Sequence, residues 1–253
     1  MHFISYSKEK SADYILDIPA GHHIMMRSPT TDFEENQATK ALLRPYSPFW
    51  VDITNLEFKI LVNVKPNGLM TKYINALREG DDVEFRGLIG NFEHVRKEDV
   101  TQNIFIITQG VAIAPAVRVI EEVLADENDV SRVFLFACFQ DLKHVLFRDR
   151  LQEYNQYWNF KSRVYLSRQK CGSPACAMKG CTDQCEEFRR MLRYKEQVYA
   201  HRLDIRDLED VCQNANAVEK RFLLCGTRQF QDQLAELIKA MQINDKDEEI
   251  YKF

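Results

Sequence analysis

The spacing of apolar residues changes along the chain, and each change predicts an element. Near the start, Ala20-Gly21-His22-His23-Ile24-Met25-Met26 reads as a turn entering a strand, and residues 28–40 are polar, acidic and without period, as in a surface loop. Glu57-Phe58-Lys59-Ile60-Leu61-Val62-Asn63-Val64-Lys65 is rich in branched residues and predicts a strand, broken by Pro66-Asn67-Gly68. From Gly68 to Gly80 the spacing turns helical: Leu69, Met70, Tyr73, Ile74 and Leu77 recur three and four apart on one face. Asn67 is suited to cap that helix and Gly80 to stop it in the left-handed region. Its first amides, near Gly68 to Thr71, are open to an anion. Asp82-Val83-Glu84-Phe85-Arg86-Gly87 predicts a further strand, with Gly90 at a turn.

Beyond about residue 100, continuous apolar strands alternate with amphipathic helices. The strands are Asn103–Thr108, Arg132–Ala137, Ser162–Leu166, Arg221–Cys225 and the tail Ile250–Phe253. The helices are one opened by Pro115 and carrying Val117, Ile120, Val123 and Leu124, one running through about Tyr157, one from Asp204, and one over 229–241. This alternation implies crossover units and a parallel sheet. The expected fold is a β barrel followed by an α/β parallel-sheet domain, with residues 1–98 in the first and 99–253 in the second. Ligands of such sheets sit beyond the carboxyl ends of the strands, where Gln109-Gly110-Val111-Ala112 and Gly226-Thr227-Arg228 fall.

Composition narrows the function. With 253 residues, 45% hydrophobic and 28% charged, the chain has the make-up of a soluble globular protein. A net charge of −4 and no long basic block argue against a nucleic-acid surface. No apolar run approaches the ~20 residues of a membrane span, and Met1-His2-Phe3-Ile4-Ser5 lacks the pattern of a signal peptide. Seven cysteines without a secretory signal read as reduced thiols of a cytoplasmic protein.

The densest chemistry is Arg44-Pro45-Tyr46-Ser47-Pro48. Arg is the preferred bidentate partner of phosphate. Pro45 and Pro48 push Arg44 and Ser47 toward extended backbone, so Arg44 and Tyr46 share one face. Taken alone, these five residues read first as an ordinary turn with an exposed Arg.

The order of motifs resolves the choice. Arg-Pro-Tyr-Ser-Pro is followed by a strand, then Gly68-Leu69-Met70-Thr71 at a helix start, then Gly80-Asp81 and Glu84-Phe85-Arg86-Gly87. A strand ending at Gly110…Pro115 comes next, and Leu224-Cys225-Gly226 precedes the last helix. This resembles the ferredoxin–NADP reductase superfamily, most closely its NADH-cytochrome b5 reductase branch, from about residue 18 to Phe253. The resemblance implies that the barrel binds FAD and the α/β domain NAD(P)H. Arg44 would pair with the flavin pyrophosphate, with Pro45 shaping the turn. Tyr46 would pack on the isoalloxazine, and Ser47 would offer its hydroxyl to flavin N5. Leu69, Met70 and Thr71 would meet the pyrophosphate at the helix start. Lys59, Leu61 and Val64 match strand positions lining the flavin, although Leu61 stands where the family has a lysine. Gly110 and Pro115 would frame the nicotinamide dinucleotide. Cys225 and Gly226 would sit by its ring, and Tyr251-Lys252-Phe253 resembles the aromatic tail, with Phe253 near the flavin. Ser47 and Cys225 are thus the implied catalytic positions. Hydride would pass to the flavin, and single electrons on to a cytochrome b5-like haem protein or a small oxidant. The chain is expected to be a monomer.

Where the family reads Gly-Thr-Gly-Ile-x-Pro, this chain has Gly110-Val111-Ala112-Ile113-Ala114-Pro115, and Cys-Gly-Pro-Pro has become Cys225-Gly226-Thr227-Arg228. Val111 lacks a hydroxyl. Ala112 carries a methyl that costs about 1–2 kcal/mol if the position needs positive φ. A degenerate relative serving as a binding module is therefore the alternative. Asp141 and Lys143, after the second parallel strand, pull the choice of NADH or NADPH in opposite directions. An insert at about 168–196 holds Cys171, Cys176, Cys181 and Cys185 at intervals of four, four and three residues. These do not match paired two-residue zinc knuckles, and reduced thiols in a flexible loop are the expectation.

Overall fold

The computed structural model describes residues 2–7, 16–29, 41–97, 100–170, 185–214, 219–241 and 248–253. Residues 30–40 and Cys171, Cys176 and Cys181 lie outside these, so the expectations for the acidic loop and for the clustered cysteines fall there as well. The described residues divide into two units, one within 1–93 with 117–119 and one within 94–116 with 120–253.

The first unit is barrel-like and antiparallel. Its strands are β1 (His2–Ser7), β2 (His23–Arg27), β3 (Leu43–Tyr46), β4 (Pro48–Asp52), β5 (Glu57–Val62) and β6 (Glu84–Ile89), with helix α1 (Leu69–Ala76) between β5 and β6. They form two three-stranded sheets, ordered β1-β5-β4 and β3-β2-β6. Alternation decides the core. Phe58, Ile60 and Val62 of β5 and Ile24 and Met26 of β2 turn inward and meet Met70 and Ile74 of α1. Tyr6 stacks on Phe58 with ring centroids 5.2 Å apart, and the Phe85 edge meets Tyr6 at 4.8 Å. Asn67 does not cap α1: the N-cap residue is Gly68, which contributes no side-chain bond. The helix ends at Ala76, because Leu77 turns extended at ψ 142°. Gly80 takes φ +92° four residues beyond that end, in the turn closed by Asp81 N–H donating to Arg78 O.

The second unit is a parallel sheet of six strands. They are β7 (Gln102–Gln109), β8 (Arg132–Phe139), β9 (Phe160–Leu166), β10 (Val198–Tyr199), β11 (Glu219–Cys225) and β12 (Glu248–Lys252), ordered β10-β9-β8-β7-β11-β12. Crossovers are made by α2 (Ile113–Ala125), α3 (Arg148–Tyr154) and α5 (Ile205–Asn214), with the short α4 (Glu186–Arg190) before β10 and α6 (Arg228–Ala240) after β11. Central β7 is buried from Gln102 to Thr108, as a strand covered on both faces must be. Phe134, Phe105 and Phe222 stack across β8, β7 and β11 at 5.2 and 5.0 Å. Two helices differ in extent from their sequence pattern. Pro115 lies third in α2, still within the first turn where its missing N–H costs nothing. The helix after β8 begins only at Arg148, because Leu142–His144 forms a 3₁₀ turn and Phe147 takes φ +54°.

Candidate functional site

In the first unit β3 pairs antiparallel with β2, so Tyr46 lies opposite Ile24 and Arg44 opposite Met26. The two side chains therefore leave β3 on the same face. Tyr46 packs on the Ile24/Met26 cluster, the same cluster that holds Met70 from the first turn of α1. Burial raises the Tyr46 pKa while the nearby Arg44 charge opposes the rise. Arg44 itself is exposed, donates to Leu43 O at 2.8 Å, and has no ion-pair partner among the described residues. Pro45, opposite Met25, lacks a donor for the ladder. Half-buried Ser47 bridges β3 and β4, and its hydroxyl has no hydrogen bond among the described residues.

At the α1 start, the first helical backbone bond is from Lys72 N–H to Gly68 O at 2.9 Å. The amides of Leu69, Met70 and Thr71 thus have no acceptor among the described residues. The Met70 side chain is buried, and that of Leu69 is 57% exposed. The Thr71 hydroxyl behaves differently from the sequence expectation. It turns back onto Lys65 O at 2.7 Å and Gly68 O at 2.9 Å, so its proton is used within the turn. The three β5-region residues also separate. Val64 packs on the inward cluster with Tyr46. Lys59 and Leu61 lie on the reverse face, where the Lys59 ammonium sits 4.3 Å from the Trp50 ring centre.

In the second unit, strand order reverses direction at β7: β8, β9 and β10 lie to one side, β11 and β12 to the other. The crevice at such a reversal, beyond the carboxyl ends, is where open parallel sheets take ligands. Thr108 is level with Cys225, so Gly110 and Gly226 emerge side by side there. Gly110 has φ +58°, whereas Ala112 has φ −70°. The Ala112 methyl therefore carries no left-handed strain. Gly110, Val111 and Ala112 form a 3₁₀ turn that leads into α2. Cys225 is fully buried, and burial pushes its thiol pKa up, so it presents a neutral apolar sulfur rather than a thiolate. Phe253 N–H donates to Leu224 O at 2.9 Å, which holds the chain's last residue at the same end of the sheet.

Residues to which the resemblance gave no role complete both places. Gln109 Oε1 accepts from the Thr227 hydroxyl at 3.2 Å and, weakly, from its amide at 3.4 Å. Thr227 also caps α6 through Phe230 N–H, as a threonine before a helical run does. Gln231 Nε2 donates to Phe253 O and to Gly226 O. In the first unit Tyr6 carries a buried hydroxyl without a hydrogen-bond partner among the described residues, its pKa raised by burial and by Tyr73 and Tyr46. Asp141 is occupied locally, 2.7 Å from His144 Nδ1 and accepting from Lys143 N–H at 3.0 Å.

Residues 7–94 match the family described as oxidoreductase FAD-binding domain. A human protein named NADH-cytochrome b5 reductase-like is 28% identical over 156 residues, which is 61% of this chain and 46% of that protein. The plasma membrane-associated coenzyme Q6 reductase PGA3 of Saccharomyces cerevisiae is 28% identical over 138 residues, covering 54% of this chain and 41% of the relative. The matched region thus spans less than half the length of these curated relatives. In fold, the chain is like the cytochrome b5 reductase domain of Ulva prolifera nitrate reductase, with TM-score 0.69, 20% identity, and 99% and 90% of the two chains covered. The chain is thus similar to proteins of the ferredoxin reductase-like superfamily, among them reductases named for cytochrome b5, and its residues 7–94 match a FAD-binding oxidoreductase domain. FAD and NAD(P)H are the cofactors this implies. The donor chemistry fits the first: an Arg and three helix amides without partners among the described residues suit a pyrophosphate. Among the described residues no helix is long and apolar enough to cross a membrane.

Proposed function

We propose that the chain is a FAD-dependent oxidoreductase that draws hydride from NAD(P)H and passes electrons singly to a haem protein or a small oxidant. The observation that supports it most is Arg44 without an ion-pair partner among the described residues, joined through the Tyr46–Met70 cluster to the open amides of Leu69, Met70 and Thr71. Bound FAD supplies the conversion of a two-electron donor into one-electron transfers. The chain's own residues hold and orient. Arg44 and the α1 amides neutralise the pyrophosphate, and Tyr46 offers a ring face fixed by Ile24 and Met26. Ser47 donates a hydrogen bond at N5, and Val64 lines the apolar side. Residues 1–98 carry the flavin in this reading and 99–253 the nicotinamide dinucleotide. Gly110, Val111, Ala112 and Pro115 shape the loop at the reversal point. Cys225 and Gly226 provide a flat, uncharged floor, and Phe253 closes the same end. The two relatives named as cytochrome b5 and coenzyme Q6 reductases suggest the acceptor class. A cytoplasmic monomer is part of the proposal.

The test is anaerobic. Purified protein is expected to be yellow, and NADH or NADPH to bleach the visible flavin band. A second reading, a flavin-holding binding module, draws on Gln109 and Thr227 already joined across the crevice and on Phe230 lying over Gly226. Colour that persists under both nucleotides favours that module. A protein that takes up no FAD at all sinks both.

A further inference from the structure

A pocket of about 220 Å³ opens at the amino ends of β8 and β9, at the opposite end of these strands from Gly110 and Gly226. Its lining includes Arg132 and Phe134 of β8, Lys161 and Arg163 of β9, Gln197, and Asp210 of α5. Register puts Phe134 level with Lys161 and Phe136 with Arg163. The three cations therefore lie on one sheet face, the face whose Phe136 and Tyr165 pack against Leu208 and Val211 of α5. Strands of a parallel sheet covered by helices are ordinarily apolar runs. Here the apolar pattern stops at Phe134 on β8 and at Tyr165 on β9, and positive charge takes its place.

The cations are unequally compensated. Arg163 is held by Asp210 at 3.0 Å. Arg132 and Lys161 have no ion-pair partner among the described residues. Among the described lining residues, three positive charges thus face one negative charge, with Gln197 beside them. Phe134, the end of the Phe222–Phe105–Phe134 stack, forms an apolar wall. We infer that this pocket binds a phosphate group, free or as a small monoester whose organic part rests on Phe134. Two guanidiniums and an ammonium on one wall, only one of them paired with a carboxylate, are suited to the oxygens of one phosphate. The site is separate from the proposed reductase chemistry and does not depend on it.

Calorimetric titration of the full chain with orthophosphate, glycerol 3-phosphate and phenyl phosphate tests the assignment. Arg132→Gln with Lys161→Gln should weaken orthophosphate binding about tenfold or more, as expected for lost charge-assisted bonds. Asp210→Asn should tighten it several-fold, a direction that loss of folding could not produce. If the ligand is a monoester, phenyl phosphate should bind more tightly than orthophosphate, and Phe134→Ala should remove only that gain. For free phosphate the three ligands should bind alike. Equal heats in the wild type and the double variant overturn the inference, as does weaker binding in Asp210→Asn. The flavin absorbance and the melting temperature of each variant check that the fold is kept.

Discussion

A Cβ on Gly226 would lie 2.6 Å from Cδ1 of Phe230 and 3.1 Å from Cβ of Gln109. The last residue of the Cys-Gly pair is thus a glycine because an aromatic ring and a neighbouring strand end close over it. Its backbone needs no unusual angle. Gly226→Ala should destabilise the second unit by about 1–3 kcal/mol, the usual cost of forcing a filled site. Adding Phe230→Leu should recover part of that loss, because the clash is with the ring. Denaturation curves of the two variants check this, and a double variant no better than the single one would remove Phe230 as the cause.

The α1 start gives a prediction that separates stability from cofactor binding. The Thr71 hydroxyl donates to Lys65 O, with Gly68 O also in range. Thr71→Val should therefore cost about 1 kcal/mol of stability, while Thr71→Ser should cost less. Neither should lower FAD affinity by more than a few-fold, since the amides facing outward are untouched. A large and selective loss of FAD affinity in Thr71→Val would show that the hydroxyl turns to the phosphate when the ligand arrives.

The legibility of these features follows from the range of the forces behind them. The strands of the parallel sheet were readable, because a buried strand such as Asn103–Thr108 must be apolar on both faces. That Arg44 and Tyr46 share a face was readable from alternation alone. The parting of Lys59 and Leu61 from Val64 lies in the same alternation, but a match to family positions overrode it. The capping of α1 misled, since Asn67 is a good cap by type while the turn is closed instead by Thr71 and Gly68. Ala112 could not be judged, because a methyl costs strain only at positive φ and sequence does not give φ. Gln109 with Thr227 joins residues far apart in the chain, and no local pattern encodes such a bond.

Arg44 is exposed and without an ion pair among the described residues, so its removal should leave the apo-protein's melting temperature nearly unchanged. Flavin affinity should fall, because a charged hydrogen-bond partner of the pyrophosphate is worth about 1.5–3 kcal/mol, or about tenfold to a hundredfold in Kd. Quenching of FAD fluorescence on titration with Arg44→Ala and Arg44→Lys reads this directly. Lys should recover only part of the affinity, as it lacks the bidentate fork. Wild-type affinity in Arg44→Ala would move the pyrophosphate elsewhere.

The pH dependence of stability should carry the mark of a pair remote in sequence. His94 Nε2 lies 2.5 Å from Asp129 Oδ2, with both side chains almost wholly buried at 4% and 2% exposure. Burial alone would raise the Asp129 pKa. Hydrogen bonds from Ser131 and His94 more than offset it and leave the carboxyl below its ordinary value. A depressed folded-state pKa means that the unfolded chain binds the proton more readily. The stabilisation is therefore complete above the unfolded value of about 3.9 and is lost as pH falls through the lower folded value. Asp129→Asn should cost about 1–3 kcal/mol near pH 7, where His94 and Ser131 lose their charged acceptor. The gap between the wild type and Asp129→Asn should narrow as pH drops below about 4. Urea titrations at pH 7, 5 and 3.5 measure that gap, and one that stays constant across the series would mean that Asp129 is not ionised in the folded protein.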